Sequence, residues 1–193
     1  MLWNEIVSSV CICCSATIFS LSLLVKTKIK MLYIQMFASI LYISSYLFAF
    51  ATNYAALVGA ITAGFEFVRL IVFFLIEKSE RYNTPKNNLI AVLSFSVVLT
   101  VCSIFAWSGY ISLLPLISSI MVSISLGSKK VLVIKIACTI QAVMIAVYLF
   151  LMSLWINAAS QLAVFVLGVV GLIWYFKKKK TKVWENFHTF IFC

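Results

Sequence analysis

The chain lacks most of what an enzyme would need. It has no aspartate, charged residues make up only 10% of it, and its single histidine, His188, lies near the C-terminus beyond the long apolar runs. Within the apolar runs no histidine stands by to activate a nucleophile and Glu66 has no second carboxylate with which to divide acid and base roles, and HExxH, GxSxG and a glycine-rich phosphate loop are all missing. We expect no enzymatic activity and no cofactor. Among the six cysteines, Cys11, Cys13, Cys14, Cys102, Cys138 and Cys193, only Cys11 and Cys14 stand in CxxC spacing, with no second such pair to complete a four-ligand site. Most fall in apolar runs, where a thiol behaves as a small hydrophobe, so neither a metal site nor a disulfide framework is expected. With Cys193 last rather than fourth from the end, no prenylation pattern is expected. No basic region precedes the first apolar run in MLWNEIVSSV, so that run is expected to stay in the membrane as a span.

What is abundant is apolar surface. Hydrophobic residues make up 64% of the sequence and mean hydropathy is +1.14, against roughly 45–50% apolar content in soluble domains. The composition is that of an integral membrane protein. A net charge of +10 would suggest nucleic acid as a partner only if a long polar segment could carry a basic aqueous surface, and none is present. The cations instead set topology.

At about 20 apolar residues per span, the chain divides into seven helices, at 6–25, 31–51, 54–76, 89–107, 110–126, 131–154 and 156–176. Lysine and arginine gather in alternate connections: Lys26, Lys28 and Lys30 after the first helix, Lys78, Arg81 and Lys86 after the third, Lys129 and Lys130 after the fifth, and Lys177, Lys178, Lys179, Lys180 and Lys182 after the seventh. The links at Thr52-Asn53, Ser108-Gly109 and Trp155-Ile156 carry none. By the positive-inside rule the N-terminus is outside and the C-terminus cytoplasmic.

An offset of 102 residues, which lays Lys28 on Lys130, also lays Tyr46-Leu47-Phe48 on Tyr148-Leu149-Phe150, Ala56 on Ala158 and Phe74 on Phe176. Helix boundaries and charged loops coincide at the same offset. The fold expected is an all-α membrane protein of seven transmembrane helices, arranged as a 3+1+3 parallel repeat of three-helix bundles. Residues 1–76 form the first unit, 77–109 a cytoplasmic loop with the linker helix, 110–176 the second unit and 177–193 a basic, aromatic tail. Val183, Trp184, Phe187, Phe190 and Ile191 recur at helical spacing in that tail, which is expected to lie in the interface with its lysines on anionic lipid.

Within the third helix, Glu66 and Arg69 interrupt an otherwise apolar run. Each intramembrane charge costs about 2.5–3.5 kcal/mol to insert, and a spacing of three residues puts both on one helical face, where they can pair and turn toward protein. Thr17, Ser39, Tyr42, Ser119 and Gln141 fall at similar depth, with Asn157 and Gln161 further out along the last helix, so these seven with Glu66 and Arg69 are the candidate ligand-binding residues. Hydroxyl residues on membrane helices also mark close packing, and Glu66 with Arg69 also reads as a structural pair. Pro115 removes a backbone hydrogen bond and is expected to kink the fifth helix or simply to serve packing.

FVRLIVFFLIEKS at the end of the third helix, SLLPLISSI in the fifth and SKKVLVIK at the start of the sixth resemble the YgjV-type bacterial inner membrane protein family, across most of the chain. That resemblance implies a bacterial inner membrane location and carries no established activity. More distantly, the 3+1+3 plan is similar in architecture to the SWEET and PnuC-type transporters. Two functions are expected. One is transport or facilitation of a small polar solute through a midplane site between the units; the other is a non-transporting sensor or partner subunit held together by a structural Glu-Arg pair.

Overall fold

The polarity of this molecule is inverted relative to a soluble protein. In a computed structural model describing residues 2–50, 56–105, 110, 113–151 and 155–191, the buried set includes Ser15, Ser22, Gln35, Ser45, Arg69, Ser118, Ser123, Lys135 and Thr139. Ile6, Val10, Phe37, Leu47, Leu93, Val97, Ile104, Ile140, Val166 and Ile173 face outward. In water such a surface would collapse or aggregate, whereas a bilayer solvates it and leaves polar groups to find partners inside. The chain is a helical membrane protein.

The described residues form helices and no strand: α1 (Leu2–Ser22), α2 (Lys28–Phe50), α3 (Ala56–Lys78), α4 (Pro85–Phe105), α5 (Leu113–Leu126), α6 (Val131–Leu151) and α7 (Trp155–Ile191). Four stretches are long and apolar enough to cross a membrane, at Lys28–Phe48, Pro85–Ile104, Val131–Leu151 and Trp155–Lys177, with shorter apolar helices at Ile6–Ser22 and Leu113–Leu126. Expected and observed helices correspond one to one. The lysine-free links at Thr52-Asn53 and Ser108-Gly109, Cys193 and the side chains of the tail beyond Lys177 lie outside the described residues.

Helices consecutive in the chain pack against one another, and α7 returns to α1. α1 and α2 run antiparallel, for Ser8 meets Ser45 at 3.1 Å and the Ser15 hydroxyl donates to the Ala38 carbonyl at 2.7 Å. The connections at the lysine-rich end, here the basic end, are tight. Three i to i−3 bonds, from the amides of Leu23, Leu24 and Val25, close α1. The Thr84 hydroxyl caps α4 by accepting from the Asn87 amide at 3.2 Å, and Pro85 takes the first helical position, where a missing N–H costs nothing. Gly127 follows α5 where an added Cβ would lie 2.8 Å from Val92 Cγ2, so only glycine lets α4 approach so closely. Across α2 and α3, Lys28 and Glu77 form an ion pair of 2.9 Å with Lys28 almost fully buried.

The expectation for Pro115 turns on residue 111, which lies outside the described residues. No break separates the last span from the tail: α7 is one helix of 37 residues, ~55 Å long at about 1.5 Å per residue, against ~30 Å of hydrocarbon.

Candidate functional site

Glu66 stands at the middle of α3 and Arg69 one turn nearer the basic end. Arg69 is 3% exposed and its guanidinium is tied on two sides. Nη2 donates to Glu66 Oε1 at 3.2 Å, while Nη1 donates to the Ser119 carbonyl and to Ser123 Oγ, both at 3.0 Å. Ser123 Oγ in turn donates to the same Ser119 carbonyl at 2.9 Å. The planar fork of arginine suits this arrangement, which joins α3 to α5. Arg69 Nε is buried without a hydrogen-bond partner.

Glu66 is half-buried, its side chain 30% exposed. Gln141 of α6 reaches Oε1 from the far side, its Nε2 at 3.5 Å. The phenols of Tyr42 and Tyr46 on α2 lie within electrostatic range of the carboxylate, and Tyr148 of α6 stands near Tyr46. Gln161 of α7 donates to the Tyr42 hydroxyl at 2.8 Å. α2, α3, α6 and α7 thus each contribute to one polar cluster, with α5 holding Arg69 from below.

Large, fully buried side chains gather on one side of this level. On the basic side, Leu23, Met31, Leu32, Phe73, Leu126 and Ile134 are all 0–1% exposed. Gln35 and Cys138 close the same layer, with Gln35 Nε2 3.8 Å from the thiol sulfur. Phe73 also packs against Phe95 of α4 with ring centroids 6.3 Å apart. On the other side, among the described residues, Tyr42, Tyr46, Tyr148, Asn157 and Gln161 are all half-buried, and the buried side chains there mix small ones, Ser45, Ala60, Ala146 and Ala158, with Val164 and Leu149.

Of the nine candidate residues, six are brought together: Glu66, Arg69, Gln141, Tyr42, Gln161 and Ser119, the last through its carbonyl rather than its hydroxyl. Ser39 is buried close by, its hydroxyl donating to the Gln35 carbonyl at 2.9 Å. Asn157 is half-buried, and its backbone carbonyl accepts from the Ser160 hydroxyl. Thr17 is a correction. It lies on the exposed face of α1 with Val10 and Leu21 and donates to the Cys13 carbonyl at 2.8 Å. A threonine that bonds back to its own helix has no need to face the interior.

Other polar groups were not among the candidates. Ser123 and Tyr46 belong to the cluster although each reads in sequence as one more polar residue on a helical face. Lys135 is 2% exposed, one turn into α6, with Nζ 5.4 Å from the centre of the Tyr175 ring. Its distance from the start of an apolar run marks it as an intramembrane charge. Among the described residues no group of three or more His, Cys, Asp or Glu could hold a metal. A shallow apolar groove lined by Ile29, Lys30, Tyr33, Ile34 and Phe74 lies between α2 and α3, apart from this cluster. Comparison of the chain with protein-family models, curated proteins and solved structures finds no match.

Proposed function

We propose that this protein is a membrane transporter or facilitator for a small polar solute, which sits beside Glu66 between two three-helix units. The observation that carries the reading is the gathering of large, fully buried side chains on one side of the level of Arg69. A partly exposed polar cluster rests on a floor of large, fully buried side chains, the arrangement of a site open to one side and closed to the other. The unpartnered Nε of Arg69 and the exposed part of Glu66 leave polar capacity for a guest or water.

The contacts also support a parallel repeat. Shifting residue numbers by the offset that lays Lys28 on Lys130 exchanges α1, α2 and α3 with α5, α6 and α7. The α1·α2 and α2·α3 packings then map onto α5·α6 and α6·α7. The Arg69 bonds from α3 to α5 map onto the contact of α7 with α1, where Gly168 and Gly171 approach Leu23 and Leu24. Glu66 with Gln141 maps onto the α7-to-α2 direction taken by Gln161 and Tyr42. In this reading α4 is the linker, the units rock about an axis along the membrane normal, and the lysine-rich loops put the open side outside and the floor toward the cytoplasm of a bacterial cell, in keeping with YgjV-type membership.

A second reading has one observation in its favour: Arg69 is so fully engaged that the pair could serve assembly alone, in a sensor or partner subunit. A thermal-shift screen of the purified chain against sugars, nucleosides, vitamins and amino acids separates the two, because a ligand that binds the folded state raises its apparent stability. The transporter reading expects a selective shift that Glu66→Gln abolishes, together with counterflow of the same compound in vesicles. No shift across the panel, with Glu66→Gln altering only stability, would leave the assembly role.

A further inference from the structure

We propose that the apolar groove between α2 and α3 holds an acyl chain of an anionic phospholipid, with its phosphate headgroup bound by Lys30 and Lys78. The groove is lined by Ile29, Tyr33 and Ile34 of α2 and Phe74 of α3, with Lys30 adding its methylene stem. It lies on the outer face: Tyr33 is 66% exposed and Ile29 41%. A groove in this position fills with whatever the bilayer supplies, and its apolar wall matches a hydrocarbon chain rather than a soluble ligand.

Charge complementarity selects the headgroup. Lys30 stands at the second residue after the start of α2, at the basic end of the groove, and is exposed. Lys78 lies one turn beyond Phe74 on α3 and is exposed too; residues four apart share a helical face, so it stands over the same end of the groove. Glu77, next to Lys78, is taken up by Lys28 at 2.9 Å, and among the described residues neither Lys30 nor Lys78 forms an ion pair. Tyr33, one turn inside Lys30, is placed as an aromatic residue at the headgroup level. This site is separate from the lysines of the tail and needs no part of the solute reading.

Native mass spectrometry tests it, on the full chain released from nanodiscs of equimolar phosphatidylglycerol and phosphatidylcholine with matched acyl chains. The wild-type chain is expected to retain phosphatidylglycerol in preference. Lys30→Gln and Lys78→Gln should each lower the ratio of the two retained lipids about five-fold, the factor for ~1 kcal/mol per lysine near a charged headgroup. Ile34→Trp, which fills the groove, should reduce retention of both lipids; Tyr33→Ala provides a second groove variant should the tryptophan disturb packing. Neutralising Lys177, Lys178, Lys179, Lys180 and Lys182 together should leave the preference intact. No preference in the wild type overturns the proposal. So does a preference that survives Lys30→Gln and Lys78→Gln but disappears with the tail lysines, and so does a two-chain species lost on Ile34→Trp, which would make the groove a contact between copies.

Discussion

Arg69 holds three acceptors of different kinds: a carboxylate on its own helix, a hydroxyl and a main-chain carbonyl on α5. Taking it away leaves Glu66 charged and half-buried with only a long contact to Gln141. Breaking a buried pair from one side costs about 3–5 kcal/mol, so Arg69→Ala is expected to lower the midpoint of thermal unfolding in detergent steeply. Arg69→Lys should recover only part of the loss, because a single ammonium cannot reproduce the planar fork. Glu66→Gln should cost much less, since its amide oxygen still accepts from Arg69. Equal unfolding midpoints for Arg69→Ala and wild type would remove the pair from the stability of the bundle. The pairing of these two residues was legible in their spacing, because intramembrane charges three apart have few other places to go. The acceptors on α5 were not, since a main-chain carbonyl carries no mark in the sequence and Ser123 looks like any other serine of the fifth helix.

The elements were legible where hydropathy and charge define them, and misread where a single residue was judged without its place in the helix. Thr17 seemed inward-facing because its own back-bond to Cys13 was invisible. Glycine shows the same dependence on position. A Cβ at Gly168 of α7 would lie 2.5 Å from Thr139 Oγ1, 3.1 Å from its Cγ2 and 3.3 Å from Leu23 Cδ1. Thr139 cannot turn freely, because it is β-branched and its hydroxyl donates to the Lys135 carbonyl at 2.8 Å. Gly168→Ala should therefore destabilise, by about 1–3 kcal/mol for an overpacked interior, and Thr139→Ala in the same chain should relieve most of the loss. Gly64 of α3 has nothing within 4 Å of an added Cβ, so Gly64→Ala should be neutral or stabilising, by up to ~1 kcal/mol from helix propensity. Unfolding midpoints of the three variants measured side by side decide the matter. If Gly168→Ala is as stable as Gly64→Ala, α6 and α7 are not in the close contact described.

Across the whole molecule, composition alone announced an exterior for lipid and an interior for polar groups, but gave no hint that the two ends of that interior differ. The floor is made by Leu23, in the turn after α1, with Met31, Phe73, Leu126 and Ile134 from four further helices, ordinary members of apolar runs until the bundle brings them to one level. If that floor separates two aqueous compartments, access to the polar cluster must be one-sided. In a chain whose native cysteines are replaced, Gln161→Cys and Gln141→Cys should react with a membrane-impermeant thiol reagent added to right-side-out vesicles. Gln35→Cys, at a position 2% exposed within the floor layer, should react from neither side. Glu80→Cys, on the exposed α3–α4 connection at the basic end, reports orientation and should label only in inverted vesicles. Labelling of Gln161→Cys together with Glu80→Cys from the same side would mean that the cluster opens toward the lysines and that the floor is no barrier. Labelling of Gln35→Cys as fast as Gln161→Cys would mean that water passes the level of Arg69. A solute that slows labelling at 161 and 141 but not at 80 would tie the opening to the occupied site, because only a guest beside Glu66 shields those two positions at once.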